Sequence, residues 1–139
     1  MTEHNLETVA EKIALEWDEA LKTNDVDRLL RLYTPNAVVE SPLIPHLLNQ
    51  ESGICNGRVE LRKLIELVAK RKPLVRKYYK NKYFTDGKTI MWEYPRLTPS
   101  GEQMDFVEVM EINNGLIQHH RVHWGWYGFN VIKNDDYNR

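Results

Sequence analysis

Apolar residues in the first half of the chain recur at helical spacing. One stripe follows every third or fourth position of residues 6–21 and comprises Leu6, Val9, Ile13, Trp17 and Leu21. Shorter stripes of the same period occupy residues 26–33 and 61–68, and Pro35 and Pro73 prevent either from continuing. Side chains at this spacing share one face of a helix, so the pattern predicts three amphipathic helices.

The connection between the second and third predicted helices is long. Residues 37–41 predict a short strand, and residues 42–56, with two prolines and a glycine, predict irregular chain. Because structureless connections of this length are uncommon in compact domains, we interpret the segment as the rim or lid of a pocket. His46 lies within it and is a candidate lid residue, although an exposed loop histidine is the alternative.

The second half of the chain has strand patterning. Strands are predicted at residues 74–84, 89–97, 103–112 and 115–129. Asp86-Gly87 and Asn113-Asn114-Gly115 are the turn signals of two hairpins. Helices followed by antiparallel hairpins are typical of an α+β fold, in which the helices cover one face of the sheet.

The last predicted strand carries the most informative residues. Alternation puts one set on a single face: Gln118, His120, Val122, Trp124 and Trp126. The opposite face carries Ile117, His119, Arg121, His123 and Tyr127. Two tryptophans and one titratable imidazole on the same face predict the wall of an apolar cavity that contains one polar group.

Composition narrows the class of protein. The 139 residues are 42% hydrophobic and 28% charged, which predicts one globular domain over residues 1–139. A net charge of −1 argues against a nucleic-acid surface, and no apolar run is long enough for a membrane span. The single cysteine, Cys55, fits a reducing compartment, so we expect a cytoplasmic protein.

The sequence predicts neither a metal site nor a cofactor. His119 and His123 share a face but lie four residues apart on a strand, hence about 13 Å from each other. One metal ion cannot bridge that distance, and the chain contains no phosphate-binding loop motif.

Four local sequences resemble one known superfamily in their order and spacing. They are residues 17–25, 32–42 (Leu-Tyr-Thr-Pro-Asn-Ala-Val-Val-Glu-Ser-Pro), 57–65 and 114–117. Together they resemble the nuclear transport factor 2-like superfamily, and in particular its SnoaL-like polyketide cyclases and ketosteroid isomerases. The resemblance implies three N-terminal helices packed on a curved antiparallel sheet, forming a cone with an internal apolar cavity. It also implies a homodimer formed through the outer face of the sheet.

The catalytic positions of the ketosteroid isomerases do not carry over. Their helical tyrosine falls at Trp17, their general-base aspartate at Ser41, and their second oxyanion donor near Val107 or Glu108. An indole N–H donates a hydrogen bond but is no acid at ordinary pH, and a serine alone is no general base. The resemblance therefore implies a pocket, without the steroid-isomerase mechanism.

His120 and Glu108 are the candidate catalytic residues. The resemblance places His120 toward the cavity, where an imidazole can carry protons near neutral pH. Glu108 shares that face under one count of the hairpin register and points away under the other. A carboxylate beside the imidazole would raise the histidine pKa and form an acid–base couple. The alternatives are a buried structural histidine and a surface ion pair for Glu108.

The predicted ligand-binding residues come from several elements. They are Trp17, Tyr33, Ser41, His46, Trp92, Tyr94, Val122, Trp124 and Trp126. Each aromatic side chain could instead belong to the core. As a group they predict a site for a small apolar or aromatic molecule.

Three functions fit these expectations. The leading one is a cofactor-free enzyme that isomerises, cyclises, hydrates or hydrolyses a small apolar carbonyl or ring compound by acid–base chemistry. The second is a non-catalytic protein that binds a small molecule in the same cavity. The third is a protein-interaction module that uses the outer face of the sheet.

Overall fold

The structure is a computed structural model that describes residues 3–70, 83–97, 103–126, 128 and 133. Its helices are α1 (Glu3–Lys22), α2 (Val26–Leu30), α3 (Leu43–Leu48) and α4 (Gly57–Val68). Its strands are β1 (Tyr33–Glu40), β2 (Ile54–Asn56), β3 (Phe84–Thr85), β4 (Thr89–Leu97), β5 (Gln103–Asn113) and β6 (Leu116–Trp124). No described helix is long and apolar enough to cross a membrane.

The helices form where the apolar stripes predict them. Buried residues of α1 recur at helical spacing and include Ala10, Ile13, Trp17 and Ala20. The Asp25 carboxylate caps α2 by accepting a hydrogen bond from the Arg28 backbone N–H at 3.1 Å. In α4, Leu61, Leu64 and Ile65 are buried while the opposite side of the helix faces solvent. The three predicted helices are present, although the second is shorter than predicted.

One six-stranded sheet holds the strands in the order β2-β1-β6-β5-β4-β3. Among the strand pairings of the described residues, only β1–β6 is parallel, and it joins segments that are far apart in the sequence. A row of paired residues across four strands, Val39, His120, Met110 and Ile90, is buried, and we call this side the inner face. The opposite side, which carries Glu40, His119 and Arg121, is the outer face. Helices packed on a curved, unclosed sheet confirm the α+β fold class.

Two predictions between α2 and α4 are wrong. Tyr33 does not continue the second helix but begins β1, and Pro35 lies inside that strand. Pro35 is exposed beside a register shift between Tyr33 and Val38, where its missing N–H costs no ladder hydrogen bond. Residues 42–56 are irregular only in part, because they contain α3 and β2. The predicted strand at residues 74–84 lies mostly outside the described residues.

The last strand is shorter and less regular than its alternation predicts. The register shifts between Glu111 and Ile112, so that Glu111 opposes His119 and Ile112 opposes Ile117. Gln118 is therefore an extra residue that forms a β-bulge. Because of this bulge, Ile117 is buried on the same side of the sheet as His120, although strict alternation would place it on the other face. The strand ends at Trp124, after which the Gly125 N–H donates to the Asp105 carbonyl at 2.7 Å.

Candidate functional site

His120 is the centre of a buried hydrogen-bonded array on the inner face. Its Nδ1 lies 2.9 Å from the Tyr33 hydroxyl, and its Nε2 lies 2.8 Å from Glu108 Oε1. The Tyr94 hydroxyl donates to Glu108 Oε2 at 2.7 Å. At the other end, the Trp17 indole N–H donates to the Tyr33 oxygen over a longer 3.4 Å.

These contacts are all satisfied by one arrangement of protons. If neutral His120 carries its proton on Nε2, it donates to the Glu108 carboxylate, which also accepts from Tyr94. Nδ1 then accepts from the Tyr33 hydroxyl, whose oxygen accepts from Trp17. The donors in this chain therefore all point toward Glu108, and the tautomer is assigned from this pattern of partners.

The register of the β5–β6 hairpin decides where Glu108 points. Glu108 pairs with Val122 and Met110 pairs with His120, so Glu108 and His120 are diagonal neighbours on the inner face. Of the two registers that the sequence left open, the structure has the one that lets the carboxylate meet the imidazole.

The array lies in a buried, mainly apolar environment. The side chains of His120 and Glu108 are only 6% and 5% exposed. Burial raises the pKa of the Tyr33 hydroxyl above its ordinary value, so Tyr33 stays protonated at neutral pH. Trp17 meets the imidazole edge-on, with ring centroids 6.0 Å apart. In such surroundings each hydrogen bond is stronger than it would be in water.

A cavity of about 100 Å³ opens beside the array. The lining residues that carry polar groups are Trp17, Tyr33, Ser41, Tyr94, Glu108, His120 and Trp124. The remaining wall comes mainly from apolar side chains of α1, α2, α4 and the sheet, among them Leu21, Leu29, Leu61, Leu64, Ile65, Val68 and Phe106. A small uncharged ligand could rest against this wall with one oxygen near the polar array.

Most of the predicted site residues meet at this cavity. Its lining includes His120 and Glu108, and with them Trp17, Tyr33, Ser41, Tyr94, Val122 and Trp124. Ser41 Oγ accepts a hydrogen bond from the Leu43 backbone N–H at 3.1 Å, so its own hydroxyl proton remains for another acceptor.

Three predicted residues lie elsewhere. Trp92 is 1% exposed and packs edge-on against Trp17, with centroids 4.9 Å apart, so it belongs to the core behind the array. His46 sits half-buried on α3 and does not line the cavity. Trp126 is 79% exposed because β6 ends before it, and the alternation that placed it beside Trp124 no longer applies.

The sequence did not identify the apolar wall contributed by the helices. Leu61, Leu64, Ile65 and Val68 were recognised as a helical stripe, but a stripe that faces a cavity has the same period as one that faces a filled core. Phe106 was also missed, although its alternation with Glu108 in β5 could have indicated it.

A second histidine–carboxylate cluster lies on the outer face. His119 Nε2 contacts Glu40 Oε2, and Nδ1 lies 3.9 Å from Glu111 Oε2, which also binds Arg121. These side chains are about one third to one half exposed. Within the described part of the chain, no group of three histidine, cysteine or carboxylate side chains is placed to hold a metal ion.

Comparison with known proteins places this architecture in a family. A model of the SnoaL-like domain matches residues 14–120, which is most of the chain. The chain belongs to the SnoaL-like family. This confirms the resemblance drawn from the four local sequences. Among curated proteins, no match was found.

Solved structures share the fold of this SnoaL-like chain at low sequence identity. An NTF2-like protein of unknown function from Burkholderia pseudomallei K96243 is 19% identical over 88% of this chain and 95% of its own, with a TM-score of 0.70. A putative polyketide cyclase from Sinorhizobium meliloti is 20% identical over 81% and 94%, with a TM-score of 0.59. The epoxide hydrolase/cyclase-like enzyme SalBIII, described in pyran ring formation in the polyether salinomycin, is 21% identical over 86% and 92%, with a TM-score of 0.60.

Proposed function

We propose that this SnoaL-like protein is an enzyme that uses its own side chains for acid–base chemistry on a small, uncharged carbonyl or ring compound. The reaction is an isomerisation, a cyclisation, or the addition of water to such a compound. His120 carries the proton, and Glu108 stabilises the charge that the imidazole gains when it takes one up.

A single observation carries this proposal: the buried Tyr33–His120–Glu108–Tyr94 array lines an apolar cavity. A titratable group that is oriented by a carboxylate and kept from bulk water is the usual form of a general acid or base. The apolar wall favours an uncharged ligand, and the volume of about 100 Å³ favours a compact one.

The names of two structural relatives agree with this class of chemistry. One is a putative polyketide cyclase and the other an epoxide hydrolase/cyclase-like enzyme. Ring closure and epoxide opening both need a proton at an oxygen, which a buried histidine relay can supply. We therefore include epoxides and enones among the proposed substrates.

The saturation of the array favours a second candidate, a non-catalytic binding protein. Both nitrogens of His120 and both oxygens of Glu108 already have protein partners. Such an array could serve only to hold the inner face in one conformation beside a ligand. A thermal-shift response without turnover of the same compound would favour this candidate.

The test of the enzyme proposal compares two adjacent histidines. The purified protein is screened by thermal shift against small monocyclic epoxides and enones, and stabilising compounds are assayed for turnover. We expect His120→Ala to lower turnover by about 10²- to 10⁴-fold, the usual share of a general acid–base group. His119→Ala is the matched control, because His119 lies on the outer face and should leave turnover near that of the wild type.

Equal activity in the wild type and in a folded His120→Ala variant would contradict the proposal. Circular dichroism and the melting temperature of both variants establish that they fold. Loss of activity in His119→Ala to the same extent would equally count against a role specific to the inner face.

We also propose a homodimer through the outer face of the sheet, as the family resemblance implies. This face carries partly exposed apolar side chains, including Val107, Val109 and the 42% exposed Met91. Sedimentation equilibrium of the wild type and of Val109→Glu tests it, since a charge in the middle of the face should dissociate the dimer. A wild type that sediments as a monomer would rule this proposal out.

A further inference from the structure

His120 cannot reach a ligand directly without breaking a bond. An imidazole has two nitrogens, and here Nδ1 meets Tyr33 while Nε2 meets Glu108. Any proton that His120 exchanges with the cavity must therefore pass through one of its partners. Tyr33 and Glu108 both line the cavity, so each offers a path.

The two paths are not equivalent for proton donation. On the Glu108 side, the hydroxyl of Tyr94 is directed at the carboxylate, and the carboxylate itself only accepts. On the Tyr33 side, the group next to the imidazole is a hydroxyl whose burial keeps it protonated. Tyr33 is thus the group of this array that can present a proton to an oxygen in the cavity.

The protonation state of His120 determines what Tyr33 presents. With a neutral imidazole, the Tyr33 hydroxyl donates to Nδ1 and turns a lone pair toward the cavity. With an imidazolium, Nδ1–H must donate, and the Tyr33 oxygen then accepts from both His120 and Trp17. Both lone pairs are then occupied, and the described residues offer the Tyr33 proton no further acceptor, so it points at the ligand.

We propose that Tyr33 is the catalytic residue that touches the ligand and that uptake of a proton by His120 converts it from a hydrogen-bond acceptor into a donor. This inference rests on the proposed function and assigns its proton path. The Tyr33 O–H bond breaks as its proton passes to the ligand oxygen, and the oxygen takes the Nδ1 proton. His120 returns to neutral imidazole, so the ligand gains one proton and the histidine loses one. A proton from solvent in the cavity then returns to Nδ1 by the same path through the Tyr33 hydroxyl.

The described residues around His120 come from four elements. Among the residues that the structure describes, the groups that contact His120 are Trp17 from α1, Tyr33 from β1 and Glu108 from β5, with Tyr94 of β4 acting through Glu108. The side chains of α4 that line the cavity are all apolar. Among these described residues, the carboxyl group of Glu108 is the acidic partner of the imidazole, at 2.8 Å.

Two single-ring probes test the switch by binding alone. Cyclohexanone only accepts hydrogen bonds, whereas phenol donates one well. As the pH falls and His120 becomes protonated, we expect the affinity for cyclohexanone to rise roughly five- to tenfold, the equivalent of one hydrogen bond. The affinity for phenol should not rise with it. In Tyr33→Phe the pH dependence of cyclohexanone binding should disappear, while His119→Ala, which removes the neighbouring histidine on the outer face, should retain it.

Nuclear magnetic resonance of the ligand-free protein gives a second readout. The ring nitrogens of His120 should titrate from the Nε2–H tautomer to the imidazolium, and the Tyr33 ring carbon that bears the hydroxyl should shift over the same pH range. A His120 that titrates without moving the Tyr33 signal, or that does not titrate while the protein is folded, overturns the inference. Failure of both probes to bind at either pH also counts against it.

Binding and turnover experiments distinguish the switch at Tyr33 from the enzymatic activity. A pH-dependent preference for cyclohexanone that Tyr33→Phe abolishes, combined with no turnover of any compound, would sustain the switch and refute the enzyme. Turnover that survives Tyr33→Phe but is lost in His120→Ala would sustain the enzyme and refute the path through Tyr33.

Discussion

Two neighbouring histidines on β6 form the same kind of pair in opposite surroundings. His120 meets Glu108 on the inner face, where both side chains are about 5% exposed. His119 meets Glu40 on the outer face, where the exposed fractions are 33% and 39%. Because successive side chains of a strand point to opposite faces, one step along the chain moves an imidazole from an apolar cavity to a partly solvated surface.

The two pairs differ in how much free energy of unfolding is lost when one partner is removed. Water can replace either partner of the outer pair, so that pair contributes little to stability. The inner pair is largely shielded from solvent, and removing one partner leaves the other in a mainly apolar site. The same residue types can therefore form an exposed ion pair on one face and a candidate catalytic centre on the other.

The largest difference in stability between the two faces should appear when the glutamate of each pair is replaced by alanine. Glu108→Ala removes the acceptor of two buried donors, and we expect it to lower the free energy of unfolding by about 3–5 kcal/mol. Glu40→Ala, the matched change on the outer face, should cost about 0–1 kcal/mol. Urea denaturation measures both.

A double replacement sharpens this result. Glu108→Leu combined with His120→Leu removes both members of the ion pair but also the acceptors of the Tyr33 and Tyr94 hydroxyls, so stability should recover only part of what Glu108→Ala loses. If the double variant is as unstable as Glu108→Ala, the loss comes from packing and the electrostatic contrast between the faces is wrong.

Because Tyr33 is buried on the inner face, the protein should lose stability at alkaline pH. Burial raises the Tyr33 pKa, so the folded state holds this proton more tightly than the unfolded state does. The stabilisation is complete below the ordinary tyrosine pKa of about 10 and is lost as the pH rises beyond it. Unfolding free energies measured between pH 8 and 11 should therefore fall, and Tyr33→Phe should fall less steeply. Parallel curves for the two proteins would contradict this account.

Salt should produce the smallest effect, and only on the outer face. Screening over a Debye length of about 3 Å at 1 M salt weakens exposed charge pairs and hardly reaches buried ones. The small stability difference between the wild type and Glu40→Ala should approach zero at high salt, whereas the difference for Glu108→Ala should persist. A large salt dependence of the Glu108 difference would mean that water reaches the inner pair.

Local patterns predicted much of the fold because they depend on neighbouring residues. The stripe that includes Ile13 and Trp17 predicted α1, and Asn114-Gly115 predicted a tight turn that both residues make with positive φ. The prediction of secondary structure was wrong where contact with a residue far away in the sequence determines the local conformation. Tyr33 continues a helical stripe, yet it pairs with Ile117 in the sheet, and that long-range contact overrides the local preference.

For the candidate site, too, some features were predictable from local sequence and others were not. The sequence by itself determined the α+β class, the helices and turns, and the residues His120, Glu108, Trp17 and Tyr94 as candidates for a cavity wall. Only the tertiary structure decided that Glu108 faces His120, that a bulge at Gln118 rotates the start of β6, and that Trp126 lies outside the cavity. The reason is that a strand has a period of two, so a shift of one residue sends every side chain to the other face. In the β5–β6 hairpin that shift comes from the bulge at Gln118, which neither the turn signal nor the alternation of the strand records.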